Sequence, residues 1–239
     1  MVFNLIEQDS AGTFALLVDP DKFSSIKEVS RLANHAEKCG VDLIFLGGSL
    51  IRKSMENTLF ALKEETKIPI VLFPGSVFQL CTQADAILLL SLISGRNPEF
   101  LIGNHVVAAH TIKESGMEVI PTGYILIDSG APSSVQYMSN TTPIPSNKPD
   151  IVVPTALAGE QLGLKIIYLE GGSGAKSPIP VDVISEVRKN ISLPIIVGGG
   201  LRTPKQVKDV MRAGASMVVL GNAIEGNGNL LEELVFASH

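Results

Sequence analysis

The chain has 239 residues, 45% of them hydrophobic and 18% charged, with a formal charge of −5. That length admits one closed α/β barrel or two small domains, and the acidic balance excludes non-specific nucleic-acid binding, which needs a basic face. The longest apolar block, Ala86 to Ile93, falls far short of the roughly 20 residues of a membrane span, so a soluble protein is expected.

The first residues, Met1 to Asp9, carry no basic region ahead of an apolar core and do not read as a secretory signal. From Thr13 onward, strand-like and helix-like patterns alternate. Thr13 to Val18 is an apolar strand, and Ile26, Val29, Leu32, Ala33 and Ala36 recur at helical spacing before Gly40 stops the helix. Val41 to Leu46 predicts the second strand, Met55, Leu59 and Leu62 a helix, Ile68 to Phe73 the third strand, and Asp85 to Leu90 the fourth. The intervening stretch from Pro74 to Ala84 is too short for a crossover helix with its loops, so one helix is reduced or missing there.

Pro98 to Glu114 predicts a helix and Met117 to Ile127 the fifth strand; Asp128 to Asp150, rich in Ser, Thr, Asn and Pro, reads as a loop over a binding face. A helix over Pro154 to Leu162 follows, then a sixth strand over 165–169, a helix carrying Ile184, Val187 and Ile191, and a seventh strand over Pro194 to Val197. Thr203-Pro204 caps the next helix and Gly214 closes it. Ser216 to Leu220 is the eighth strand, and Ile224 to Phe236 the final helix. Eight strands apolar on both faces, alternating with helices, predict a single modified (β/α)8 TIM-barrel domain over 1–239, with an open doubly wound sheet as the alternative.

Three glycine-rich turns follow the sixth, seventh and eighth strands: Tyr168-Leu169-Glu170-Gly171-Gly172-Ser173-Gly174, Gly198-Gly199-Gly200, and Gly221-Asn222. Glycines let backbone N–H groups crowd a phosphate, and a following helix N-terminus adds positive charge. One such turn means only a tight connection; three on successive strands predict one phosphate cradle. Glu170, expected inside the first turn, would place a carboxylate beside the bound phosphate group. The compensating task is to accept hydrogen bonds from ligand hydroxyls or to take a proton from one. Tyr168 either donates a hydrogen bond there or packs in the core.

Asp19-Pro20-Asp21-Lys22 follows the first strand and Gly47-Gly48-Ser49 the second. A carboxylate and a hydroxyl on one rim suit Mg2+, which binds through few protein oxygens plus substrate phosphates; alternatively Asp19 caps a turn. Cys39 and Cys81 lack metal-ligand spacing and suit a reducing cytoplasm. His35, His105, His110 and His239 pair with no nucleophile and are assigned no catalytic role.

In combination and order, these motifs resemble the geranylgeranylglyceryl phosphate synthases and their bacterial relatives, prenyltransferases on a modified (β/α)8 barrel. The marks are Leu17 to Lys22, Gly47-Gly48-Ser49, Tyr168 to Gly174, Ile196 to Arg202 and Val219 to Ile224. The resemblance implies transfer of a geranylgeranyl or other long prenyl group from its diphosphate to the C3 hydroxyl of sn-glycerol 1-phosphate, giving an ether lipid precursor. It implies Mg2+ on Asp19 and Ser49. Glycerol phosphate would bind to Tyr168, Leu169, Glu170, Gly171, Gly172, Ser173 and Gly174, with Gly199, Gly200, Gly221 and Asn222 completing the phosphate cup and Glu170 as the base.

The reduced helix after the third strand, at Phe73 to Phe78, is expected to open an apolar groove for the prenyl tail. The resemblance is closest to the second subgroup, related to the heptaprenylglyceryl phosphate synthases and often forming higher oligomers, so a homo-oligomer with at most peripheral membrane contact is implied. One departure is Leu17, where some members carry a lysine. The competing functions are a phosphosugar isomerase or aldolase, for which no lysine is well placed, and a non-catalytic phosphate-ligand binding protein.

Overall fold

A computed structural model describes residues 1–7, 12–221 and 228–239. Its eight strands are β1 Thr13–Val18, β2 Leu43–Leu46, β3 Ile70–Leu72, β4 Ala86–Leu92, β5 Glu118–Leu126, β6 Ile166–Glu170, β7 Ile195–Gly198 and β8 Met217–Leu220. They pair in sequence order, and β1 pairs with β8 in parallel, closing the barrel. The helices are α1 Phe3–Glu7, α2 Ile26–Lys38, α3 Met55–Glu65, α4 Asn104–Ser115, α5 Ser134–Ser139, α6 Pro149–Gln161, α7 Val181–Asn190, α8 Pro204–Arg212 and α9 Gly228–Ser238. Between β3 and β4 there is only a 3-10 turn, Val77–Gln79, where a crossover helix would otherwise lie.

Strand side chains alternate between two apolar layers, as a two-residue period requires. Ala15, Phe45, Val71, Leu88, Tyr168 and Met217 fill the barrel interior, while Leu16, Ile44, Leu72, Ile87, Leu169 and Val218 pack against the helices. The short α1 adds Val2 and Ile6 to the inner layer. The backbone N–H groups of Val2 and Phe3 donate to the Glu118 carboxylate at the start of β5, which ties α1 to the N-terminal end of the barrel.

Most strand ends shift by one or two residues, and the expected helix from Pro98 begins with a π-helical turn, Glu99–Gly103, ahead of α4. The larger changes bear on the site. The segment Asp128 to Asp150 is not wholly irregular: it holds α5 and the start of α6, which begins at Pro149 rather than Pro154. Proline at the first helical position forfeits no hydrogen bond. Pro154, further in, removes the bond to the Asp150 carbonyl, which lies on the exposed side where solvent reaches it. Finally, β6 runs one residue past Leu169, which makes Glu170 its last residue instead of a turn residue.

Candidate active site

Because β6 continues to Glu170 with inward parity, its carboxylate is buried at the top of the barrel, 7% exposed. Register places Glu170 opposite Leu126 of β5 and Gly198 of β7, and Tyr168 opposite Tyr124. Glu170 Oε1 accepts the Gly172 backbone N–H at 2.5 Å, and the hydroxyls of Tyr168 and Tyr124 also donate to this carboxylate. Gly198 is what makes room for this: a Cβ there would fall 2.4 Å from the Tyr168 hydroxyl oxygen and 3.1 Å from Glu170 Oε2.

Burial raises the Glu170 pKa above the ordinary carboxylate value, and the three donors offset this only in part. Burial, followed by the Glu170 charge, holds both phenols well above their ordinary values, so they remain donors. The rings are fixed by packing: Phe73 stacks on Tyr168 at 5.3 Å between centroids, and Tyr124 lies 5.2 Å from Tyr168. A desolvated carboxylate with a raised pKa, oriented by donors and opening on a cavity, is suited to accept a proton.

The cavity has a volume of about 630 Å³ and is bordered by Asp19, Ser49, Tyr124, Tyr168, Glu170, Gly172, Ser173, Gly174, Gly199, Gly200 and Gly221. Gly172, Gly174, Gly199 and Gly200 all have left-handed φ, +92°, +79°, +86° and +77°, a backbone form that turns successive N–H groups to one side and suits an anion. Two of the expected residues, Leu169 and Gly171, are also tied into the sheet. Leu169 is fully buried with its side chain in the sheet–helix layer, because its parity is opposite to that of Glu170. The Gly171 N–H is committed to the Gly198 carbonyl at 2.9 Å, extending the ladder by one bond. At the α8 N-terminus Thr203 and Gln206 form a capping box, in which Thr203 Oγ1 accepts the Gln206 N–H and Gln206 Oε1 accepts those of Arg202 and Thr203. Asn222 lies outside the described residues.

Asp19 and Ser49 border the same cavity. Asp19 Oδ1 accepts the Asp21 N–H at 3.0 Å, so the turn-capping role is realised, while a Cβ on Gly48 would fall 3.2 Å from Oδ2. The carboxylate therefore lies against the chain one residue before Ser49. Two hard oxygen donors beside space for waters and phosphate oxygens fit Mg2+; among the described residues no cluster of three or more His, Cys, Asp or Glu offers a self-contained metal site. Asp21 has a different task. It accepts the backbone N–H of Lys53 at 2.9 Å and of Arg52 at 3.1 Å, with Arg52 Nε at 3.3 Å, tying the segment after Ser49 to the Asp19 turn.

A second, apolar groove opens beside the first cavity and shares Gly48, Ser49, Phe73, Tyr124 and Val135 with it. Val77, Leu80, Leu88, Phe100, Ala108 and Ile112 line it where the crossover helix is missing. His105 borders this groove, with Nε2 2.8 Å from the Leu90 carbonyl oxygen. Tyr124 was not singled out by sequence reasoning, yet it touches both cavities and the central carboxylate.

Similarity to known proteins fits this arrangement. The geranylgeranylglyceryl phosphate synthase of Chitinophaga pinensis is 50% identical over 239 residues, covering 99% of this chain and 94% of the relative. That of Thermococcus gammatolerans is 40% identical over 227 residues, covering 92% and 89%. Among solved structures, the (S)-3-O-geranylgeranylglyceryl phosphate synthase from Thermoplasma acidophilum, in complex with substrate sn-glycerol-1-phosphate, matches with a TM-score of 0.94 at 30% identity, covering 100% of this chain and 98% of the other. The PcrB family model matches residues 6–237, and with these full-length relatives it establishes that the chain belongs to the PcrB family.

Proposed function

We propose that the protein transfers a long prenyl group from its diphosphate to the C3 hydroxyl of sn-glycerol 1-phosphate. The observation that carries this reading is that Tyr124, which borders both a glycine-lined polar cavity and an apolar groove, donates to the Glu170 carboxylate in the polar cavity. A phosphosugar enzyme has use for the first but none for the second.

In this reading the glycerol phosphate rests on Gly172 to Gly174 and on Gly199, Gly200 and Gly221. Lys22 and Arg202, which border the cavity, supply positive charge that Leu17 does not. Arg202 also ties two of the loops together through a 2.7 Å bond to the Ala175 carbonyl. Glu170 takes the proton of the C3 hydroxyl as that oxygen bonds to C1 of the prenyl group, while the C1–O bond to diphosphate breaks and its electron pair leaves with the diphosphate. Tyr124 and Tyr168 hold the carboxylate so that it does not reorient during transfer. Asp19 and Ser49 would hold Mg2+, which when bound supplies charge to neutralise the departing diphosphate.

Purified protein incubated with Mg2+, glycerol 1-phosphate and radiolabelled prenyl diphosphates of several lengths should form a chloroform-extractable glyceryl ether. Formation of no ether at any chain length refutes the reading.

A further inference from the structure

Between β3 and β4 the chain crosses without a full helix, so the backbone groups of residues 74–80 that a helix would pair need other partners. Gln79 supplies two of them. It ends the 3-10 turn Val77–Gln79 and is 3% exposed, while its neighbours Val77 and Leu80 line the apolar groove. Its amide is used at both ends: Oε1 accepts the Gly75 N–H at 3.0 Å, and Nε2 donates to the Gly48 carbonyl at 2.8 Å. An amide carries a donor and an acceptor on one carbon and so fills both positions; the reversed orientation would set donor against donor and acceptor against acceptor.

The bond to Gly48 leaves the turn and reaches the loop after β2, 31 residues earlier in sequence, at the residue before Ser49. Glycine lets the two loops approach there: a Cβ on Gly75 would fall 2.4 Å from the Gly48 carbonyl oxygen and 2.9 Å from Ser49 Cα. From the other side the same loop meets Asp19, whose Oδ2 would lie 3.2 Å from a Cβ on Gly48, and Asp21 holds the segment that follows through the Lys53 N–H. Ser49 borders both the polar cavity and the groove, whereas Gln79 borders neither. A buried amide behind the wall acts on a ligand only through the loop it holds.

We propose that Gln79 is a positioning residue for the prenyl diphosphate. By joining the groove wall to the Ser49 loop, it fixes the separation between the space that takes the apolar chain and the oxygen donors that meet the diphosphate end. The proposal rests on the prenyl-transfer reading. A substrate whose two ends bind in different spaces stays in register only if those spaces keep a constant separation, and a misplacement of about 1 Å at the reacting carbon can cost about 10²-fold in rate. The glycerol phosphate cradle lies elsewhere, on the loops after β6, β7 and β8, and both partners of the Gln79 amide lie outside those loops. Its effect therefore falls on one substrate and spares the other.

The test titrates the full chain, with Mg2+ present, against a prenyl S-thiolodiphosphate, which is bound without reacting, and separately against sn-glycerol 1-phosphate. Gln79→Met keeps the length of the side chain and removes both bonds. It should weaken thiolodiphosphate binding by about fivefold or more, the loss of two neutral hydrogen bonds, with glycerol phosphate affinity within about twofold of the parent. In turnover the KM for the prenyl diphosphate should rise in the same proportion. Gln79→Glu keeps the acceptor for the Gly75 N–H, and with it the turn, but loses the donor to Gly48; it should weaken the same ligand and serves where Gln79→Met does not fold. In a Ser49→Ala background Gln79→Met should add little, because the group it positions is gone. Parent affinity for the thiolodiphosphate in either Gln79 variant, equal losses for both ligands, or full additivity with Ser49→Ala overturns the proposal. Ether formation by the parent is measured alongside: its absence at every chain length refutes the prenyl-transfer reading and the proposal with it, whereas a parent that forms ether beside an unmoved Gln79→Met refutes the positioning role alone.

Discussion

Replacing Tyr124 by Phe deletes one of the three donors to Glu170 and leaves the packing in place, since the ring that lies 5.2 Å from Tyr168 and 6.1 Å from Phe73 is retained. A hydrogen bond to a charged group contributes about 1.5–3 kcal/mol. Losing it moves the Glu170 proton equilibrium toward the neutral acid by a factor of roughly ten to a hundred. Burial already raises the pKa of this carboxyl, so the acid limb of the kcat/KM profile should move to higher pH in Tyr124→Phe, with the high-pH plateau recovering toward the parent value. Initial-rate profiles with glycerol phosphate as the varied substrate measure this directly, and Tyr168→Phe should move the limb in the same direction. A profile that falls by one factor at every pH, or that overlays the parent, refutes the reasoning and leaves Tyr124 as wall material between the two cavities.

Glu170→Gln should lower kcat by about 10²–10⁴, the usual contribution of a positioned base. The same variant should lose no stability at pH 8 relative to the parent. With its folded pKa raised, Glu170 contributes stability that is present below its unfolded pKa and lost as pH rises through the folded value, a loss glutamine escapes; thermal melts at pH 5 and pH 8 measure the difference. Gly199→Ala, at φ +86° with its Cβ 2.8 Å from both Glu170 Oε1 and the Gly172 nitrogen, should cost about 1–3 kcal/mol of stability. It should also raise the KM for glycerol phosphate, and denaturant titration paired with kinetics tests both. Asp21→Ala, which releases the segment after Ser49, should raise the half-saturating Mg2+ concentration several-fold with kcat at saturating Mg2+ little changed; a metal titration that overlays the parent refutes the positioning role.

The barrel was readable from its punctuation. Glycine and proline mark nearly every crossover, and short runs of β-branched and leucine residues mark strands buried on both faces. Such strands hide their parity, however, and parity decides what the site contains. Nothing in Ile166-Ile167-Tyr168-Leu169-Glu170 says which residues face inward until the register with β5 and β7 is known. Hence Glu170 was placed in a turn rather than in a strand, Leu169 was grouped with it although its side chain faces the helices, and Tyr124 was not singled out. The loops after β1 and β2 were legible as a polar pair, but the work of Asp21 was not, because its partners Arg52 and Lys53 lie some thirty residues away in sequence and meet it only in the closed barrel. The α6 boundary slipped for a local reason: two prolines five residues apart both suit a helix start.

The wall of Phe73, Tyr124 and Val135 that divides the polar cavity from the apolar groove has a kinetic meaning. Two reactants seated in neighbouring spaces need not displace one another. On the proposed reaction, glycerol phosphate in the polar cavity and the prenyl tail in the groove are held side by side across that wall. The rate law expected of such an arrangement is that of a ternary complex, in which no product leaves before both substrates have bound.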